Sequence, residues 1–131
     1  MRTVAAHLIR LARKVLATDV VALTKKYDGL PLECDGMTRV LHTVLAKKDV
    51  KHKVMVGSVE AGKTKRGIPL HYWIELPDGR IVDYRAQMWL GMAAPHGVFK
   101  PVPQFKYVGK AINMPILTDV LFMVLTNGME P

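Results

Sequence analysis

The sequence predicts an α+β fold with a helical N-terminal part, a central antiparallel sheet of three or more strands, and a C-terminal helix. Three patterns predict it. Apolar residues recur at a period near 3.6 on both sides of Pro31. Two β-branched runs, HKVMVGSVE and HYWIEL, follow one another with only the polar AGKTKRG between them. A last apolar stretch opens behind Pro115 and stops at Asn127 and Gly128, the usual marks of a helix start and end.

Taken in order, Val4, Leu8, Leu11 and Val15, with Ala5, Ile9, Ala12 and Leu16 beside them, predict an amphipathic helix over 4–16. Its polar face carries Arg10, Arg13 and Lys14, a pattern shared with membrane-surface and transit segments, although packing on a core is the simpler expectation. Thr18 or Asp19 caps a second helical stretch through Leu23, which ends before the turn residues Asp28 and Gly29. Pro31 breaks the chain. Cys34 then opens a helix in which Met37, Val40, Leu41, Val44 and Leu45 form one apolar stripe, expected to pack on the sheet. The runs HKVMVGSVE, HYWIEL and IVDYRA read as antiparallel strands, and the segment from Gly91 to Pro103 reads as loop.

A chain of 131 residues is the size of one domain, and with 50% apolar and 23% charged residues it has a globular balance. Its single cysteine excludes an internal disulfide and fits a reducing compartment. No apolar run is long enough to span a bilayer and no secretory apolar core stands at the N-terminus, so the expectation is a cytoplasmic protein. The net charge of +8 concentrates at Arg10 to Lys14, Lys47 to Lys53 and Lys63 to Arg66. Such a field attracts nucleic acid or acidic proteins, but the clusters lack interleaved aromatics for base stacking, which favours a plain basic surface.

The residues that point to chemistry are Cys34, His71 and Asp83. A thiolate at a helix start is stabilised by free N–H groups and the positive end of the helix dipole. The adjacent Glu33 and Asp35 oppose a negative sulfur, so an imidazolium partner is required. His71, opening a strand, is the best candidate, and Asp83 in the next strand can hold its second nitrogen. The turn decides whether they meet. A two-residue turn at Asp78 and Gly79 sets Asp83 opposite Ile74, facing away from His71. A three-residue loop of Pro77, Asp78 and Gly79 sets Asp83 opposite Trp73 and Arg85 opposite His71, making His71 and Asp83 diagonal neighbours on one face. Trp73 and Trp89 can wall a groove beside His71 and, with Arg85, bind substrate, although aromatic strand residues are more often core.

The segments ECDGMTRVLHTVL and HYWIELPDGRIVDYRA resemble the nucleophile helix and the His and Asp hairpin of the transglutaminase-like and papain-like superfamily. Arylamine N-acetyltransferases, lasso-peptide leader peptidases and bacterial cell-wall endopeptidases share that order. The resemblance covers Leu32 to Ala86. It implies a papain-like core and a cysteine hydrolase or acyl-transferase, with Cys34 as nucleophile, His71 as general base and acid, and Asp83 as the orienting group. The substrate it implies is a peptide, a protein or a small acyl donor, with no cofactor. Upstream of Cys34 no side chain presents itself as an oxyanion donor, so the Cys34 N–H and a second, unidentified donor are assumed. The structural alternative is a buried Cys34, a satisfied strand histidine and a surface Asp83.

Two other functions are carried by the residues. A basic binding module of the same fold, without catalysis, would dock an acidic partner or nucleic acid. GSVEAGKT, Gly57 to Thr64, matches the phosphate-loop pattern behind a strand, but Lys65 to Pro69 lead into another strand where a helix is required. The segment is better read as a basic hairpin loop. His7, His42, His52, His71 and His96 show no metal-type spacing.

Overall fold

The computed structural model describes residues 19–62 and 66–131. Four helices and five strands occur there: α1 (residues 19–25), α2 (Cys34–Lys47), β1 (Lys53–Glu60), β2 (Gly67–Glu75), β3 (Ile81–Asp83), α3 (Ala86–Leu90), β4 (Gly97–Phe99), β5 (Lys106–Ile112) and α4 (Asp119–Leu125). The expected helix over 4–16 lies outside the described residues, as do Lys63, Thr64 and Lys65. The fold is α+β, with one antiparallel sheet in the order β4-β3-β2-β1-β5.

The stripe of α2 does what its spacing requires. Met37, Val40, Leu41, Val44 and Leu45 are all buried and cluster with Ile74, Leu76 and Val82 of the sheet region. Burial of each such side chain is worth about 1.5–3 kcal/mol against exposure. Val20 and Tyr27 near α1 and Leu117 and Phe122 near α4 complete the same core. Thr24 and Tyr84 share a hydroxyl hydrogen bond of 2.8 Å, which ties α1 to the chain just beyond β3. His42 of α2 bonds His52 and the Met114 carbonyl oxygen, each at 2.7 Å, so this helix side chain joins the approach to β1 to the segment before α4.

Alternation sends Ile74 and Val82 into that core and leaves His71, Trp73 and Asp83 on the other side of the pleat. Trp73 reaches across the sheet because Gly57 and Gly109 face each other there without side chains. A Cβ on Gly109 would stand 2.7 Å from the indole, and one on Gly57 would collide with the Val108 carbonyl oxygen. The pairing of β1 with β2 also shifts between Gly57 and Val59, a bulge of the kind that re-aims side chains.

Several expectations need correction. The stretch from Gly91 to Pro103, read as loop, contains β4, and β5 follows it. Prolines flank these strands rather than interrupting them, and the lysines and glycine of KYVGKAI hide its period on an edge strand whose residues are mostly exposed. IVDYRA is strand only through Asp83, because Ala86 already begins α3. The last helix starts at Asp119 rather than Pro115, since Thr118 accepts a hydrogen bond from the Leu121 N–H and caps it. Of the phosphate-loop pattern, Gly57 to Glu60 belong to β1, and Gly67 beyond it opens β2, so the described residues on either side are strands and not a helix N-terminus. Among the described residues no helix is long and apolar enough to cross a membrane.

Candidate active site

The turn between β2 and β3 takes the three-residue form. Ile74 pairs with Val82 and Glu75 with Ile81, the Leu76 N–H donates to the Arg80 carbonyl at 2.8 Å, and Gly79 carries the left-handed φ of 88°. Asp78 steadies the loop by accepting from the Arg80 backbone N–H and from its Nε. This register sets His71 and Asp83 on one face, and His71 Nε2 lies 2.7 Å from Asp83 Oδ2. Both are buried, His71 with no exposed surface at all.

Asp83 has two further donors. The Arg85 backbone N–H bonds Oδ1 at 2.9 Å, and the Tyr107 hydroxyl, arriving from β5, donates to Oδ2 at 2.7 Å. Burial, and then the negative charge of Asp83, raise the pKa of Tyr107, which stays protonated and therefore remains a donor. No local pattern singles out Tyr107, because the lysines and glycine of KYVGKAI mask the period of β5, and the register that aims the phenol exists only across β1, where Val59 faces Tyr107.

Cys34 is the first residue of α2 and is partly exposed, and Glu33 before it supplies no side-chain cap to the helix. The dipole's positive end therefore opens toward the sulfur. Cys34 and Asp83 both act on the imidazole. Burial of His71 opposes its charge, but hydrogen bonding and charge from Asp83 and Cys34 outweigh burial and raise its pKa to about 9. Nε2 belongs to Asp83, and Nδ1 makes no full hydrogen bond within the described residues, so Nδ1 is the nitrogen left for the thiol.

Comparison of the chain with family models, with curated proteins and with solved structures gives no match.

Arg85 departs from expectation. β3 ends at Asp83, so Arg85 does not stand opposite His71; it is only 7% exposed and turns toward the segment that leads into α2. Its Nε donates to the Leu32 carbonyl, Nη2 to the carbonyls of Asp28 and Leu30, and Nη1 to Asp28 Oδ1 and the Tyr84 carbonyl, all between 2.5 and 2.8 Å. The guanidinium braces the segment that leads to Cys34 rather than offering its donors to a ligand.

Trp73, also expected at a groove wall, is 1% exposed, stacks on His71 at 6.2 Å and meets Tyr107 edge-on at 5.0 Å. It backs the imidazole and borders a cavity of about 590 Å³ together with Ile81, Phe105 and Tyr107. Trp89 is on α3 and 59% exposed. Two clefts adjoin the start of α2. One, about 410 Å³, is lined by Leu32, Glu33, Tyr84 and Met88; the other, about 450 Å³, by Asp35, Gly36, Arg39 and Tyr72. No group of three or more metal-binding side chains gathers among the described residues.

The raised pKa of His71 carries a stability prediction. Its folded value of about 9 exceeds the ~6.5 of an unfolded histidine, so the folded state holds the proton more tightly. The stabilisation is complete below about pH 6.5 and is lost as pH rises through 9. Urea midpoints should fall between those limits, and His71→Gln should remove that part of the fall. Equal declines in both proteins would assign it to other groups.

Proposed function

We propose that the chain is a cysteine hydrolase or acyl-transferase of the papain-like and transglutaminase-like kind, acting at an amide-type bond through an acyl-enzyme on Cys34. The observation that carries this reading is a buried imidazole held protonated between a carboxylate and the one thiol of the chain, with that thiol at a helix start. A thiolate paired with imidazolium is both nucleophilic and positioned to pass a proton.

In the proposed reaction the Cys34 sulfur attacks the carbonyl carbon, and the electron pair of the C=O moves onto oxygen. The Cys34 N–H is a donor for that oxyanion. When the tetrahedral species collapses, the C–N bond breaks and His71 gives its proton to the departing amine. The neutral imidazole then takes a proton from water or from a second amine, which attacks the thioester and releases a carboxylic acid or a new amide with restoration of the thiol. Asp83 keeps the ring in one orientation throughout and offsets the imidazolium charge. Peptides, proteins and small acyl donors are the substrate classes, and the two clefts lined by Glu33 and by Asp35, the chain neighbours of Cys34, are of a size that suits an extended chain.

The test is alkylation by iodoacetamide. Cys34 should react quickly at pH 6 to 7, and His71→Ala should slow it by about a hundredfold or more, the scale on which a positioned acid–base partner acts. Slow labelling that is indifferent to His71 would overturn the enzymatic reading and favour the basic binding module, for which the charge of +8 is the supporting observation.

A further inference from the structure

A carboxylate shares its negative charge among its donors, and the two on Asp83 Oδ2 compete: His71 Nε2 at 2.7 Å and the Tyr107 hydroxyl at 2.7 Å. The groups with charge that face the imidazole are Cys34 from α2 and Asp83 from β3, and Tyr107 reaches it from β5 only through Asp83. The Arg85 guanidinium is engaged with the segment before α2, and only its backbone N–H touches the carboxylate. Trp73 contacts both rings, stacked on His71 and edge-on to Tyr107, so the three aromatic groups and the carboxylate pack as one unit.

We propose that Tyr107 is a positioning residue for the Cys34 and His71 pair: by holding Asp83 Oδ2 and drawing off part of its charge, it sets the upper pH at which His71 remains protonated. The consequence for catalysis rests on the nucleophile reading of Cys34, but the effect on His71 does not. A strong donor on Oδ2 weakens the hold of Asp83 on the imidazolium, and removing it strengthens that hold. The hydroxyl therefore keeps the imidazole able to give up its proton, which a general acid requires, instead of locking it in a permanent ion pair.

The experiment follows the His71 ring through its titration by NMR in the full chain and in Tyr107→Phe, alongside iodoacetamide labelling over the same pH range. The midpoint for His71 should rise by about one pH unit in the variant, an energy of about 1.4 kcal/mol, and the alkaline end of fast labelling should move with it. Should Tyr107→Phe fold poorly, a fluorinated tyrosine at position 107, a stronger donor of nearly the same shape, should move the midpoint down. A midpoint unmoved in both, with stability alone altered, would overturn the proposal and leave Tyr107 a packing residue. Slow labelling of the unaltered chain that ignores His71 would overturn the nucleophile reading, whereas the NMR titration would still decide the role of Tyr107.

Discussion

Arg85→Ala is expected to destabilise the chain by about 3–5 kcal/mol, because several backbone carbonyls lose their donor at about 1–3 kcal/mol each. A small domain has typically 5–15 kcal/mol in all, so much of the population should unfold under mild denaturant. The loss is not chiefly that of the ion pair with Asp28, whose side chain is 38% exposed and screened by solvent. It comes from the carbonyls of Leu30, Leu32 and Tyr84, which lose a donor in a place where little water reaches. Arg85→Lys should rescue poorly, because an ammonium cannot span several carbonyls with a planar fork. Urea denaturation measures the first effect. In the folded fraction, Cys34 labelling should also slow, since the segment that sets the start of α2 has lost its brace. Near-native stability in Arg85→Ala would remove that role.

Asp83→Ala should cost a similar amount, about 3–5 kcal/mol, because it strands the His71 ring and the Tyr107 hydroxyl together inside the protein. Asp83→Asn separates shape from charge. The amide oxygen can still accept from Tyr107, but no negative charge remains to hold the imidazolium, so the pKa of His71 should drop from about 9 toward or below its ordinary value. The fall in stability between pH 6.5 and 9 should then largely disappear, and labelling of Cys34 near neutral pH should slow by at least tenfold. Urea midpoints across pH together with alkylation rates check both effects. An Asp83→Asn protein that keeps the full pH dependence and labels at the original rate would show that Asp83 does not act through His71.

The parts legible in the sequence were those that depend on neighbours along the chain. The stripe Met37, Val40, Leu41, Val44 and Leu45 states a helix and its buried face, because period and burial are one property in a helix. The turn Pro77, Asp78, Gly79 admits a three-residue loop beside the two-residue one, because proline presets one turn residue and glycine adopts the positive φ of another, and the folded register decides between them. Once the three-residue loop forms, the diagonal placement of His71 and Asp83 follows from strand alternation. Cys34 at the start of its helix follows from Pro31 and the stripe together.

What the sequence left open are contacts that span sheet or loop, where no local rule operates. KYVGKAI forms β5 only because β1 offers it an edge from Val54 to Glu60, and Tyr107 reaches Asp83 through that pairing. Arg85 was expected opposite His71 on the argument of strand alternation, which stopped applying where β3 stopped; the carbonyls of Asp28, Leu30 and Leu32 then claimed its guanidinium. Local dihedral preference and periodicity thus determined the helix that Cys34 opens and the hairpin of His71 and Asp83. Tertiary structure decided which distant donors complete them, because a buried hydrogen-bonding group takes the partner that folding brings within reach, at any separation along the chain.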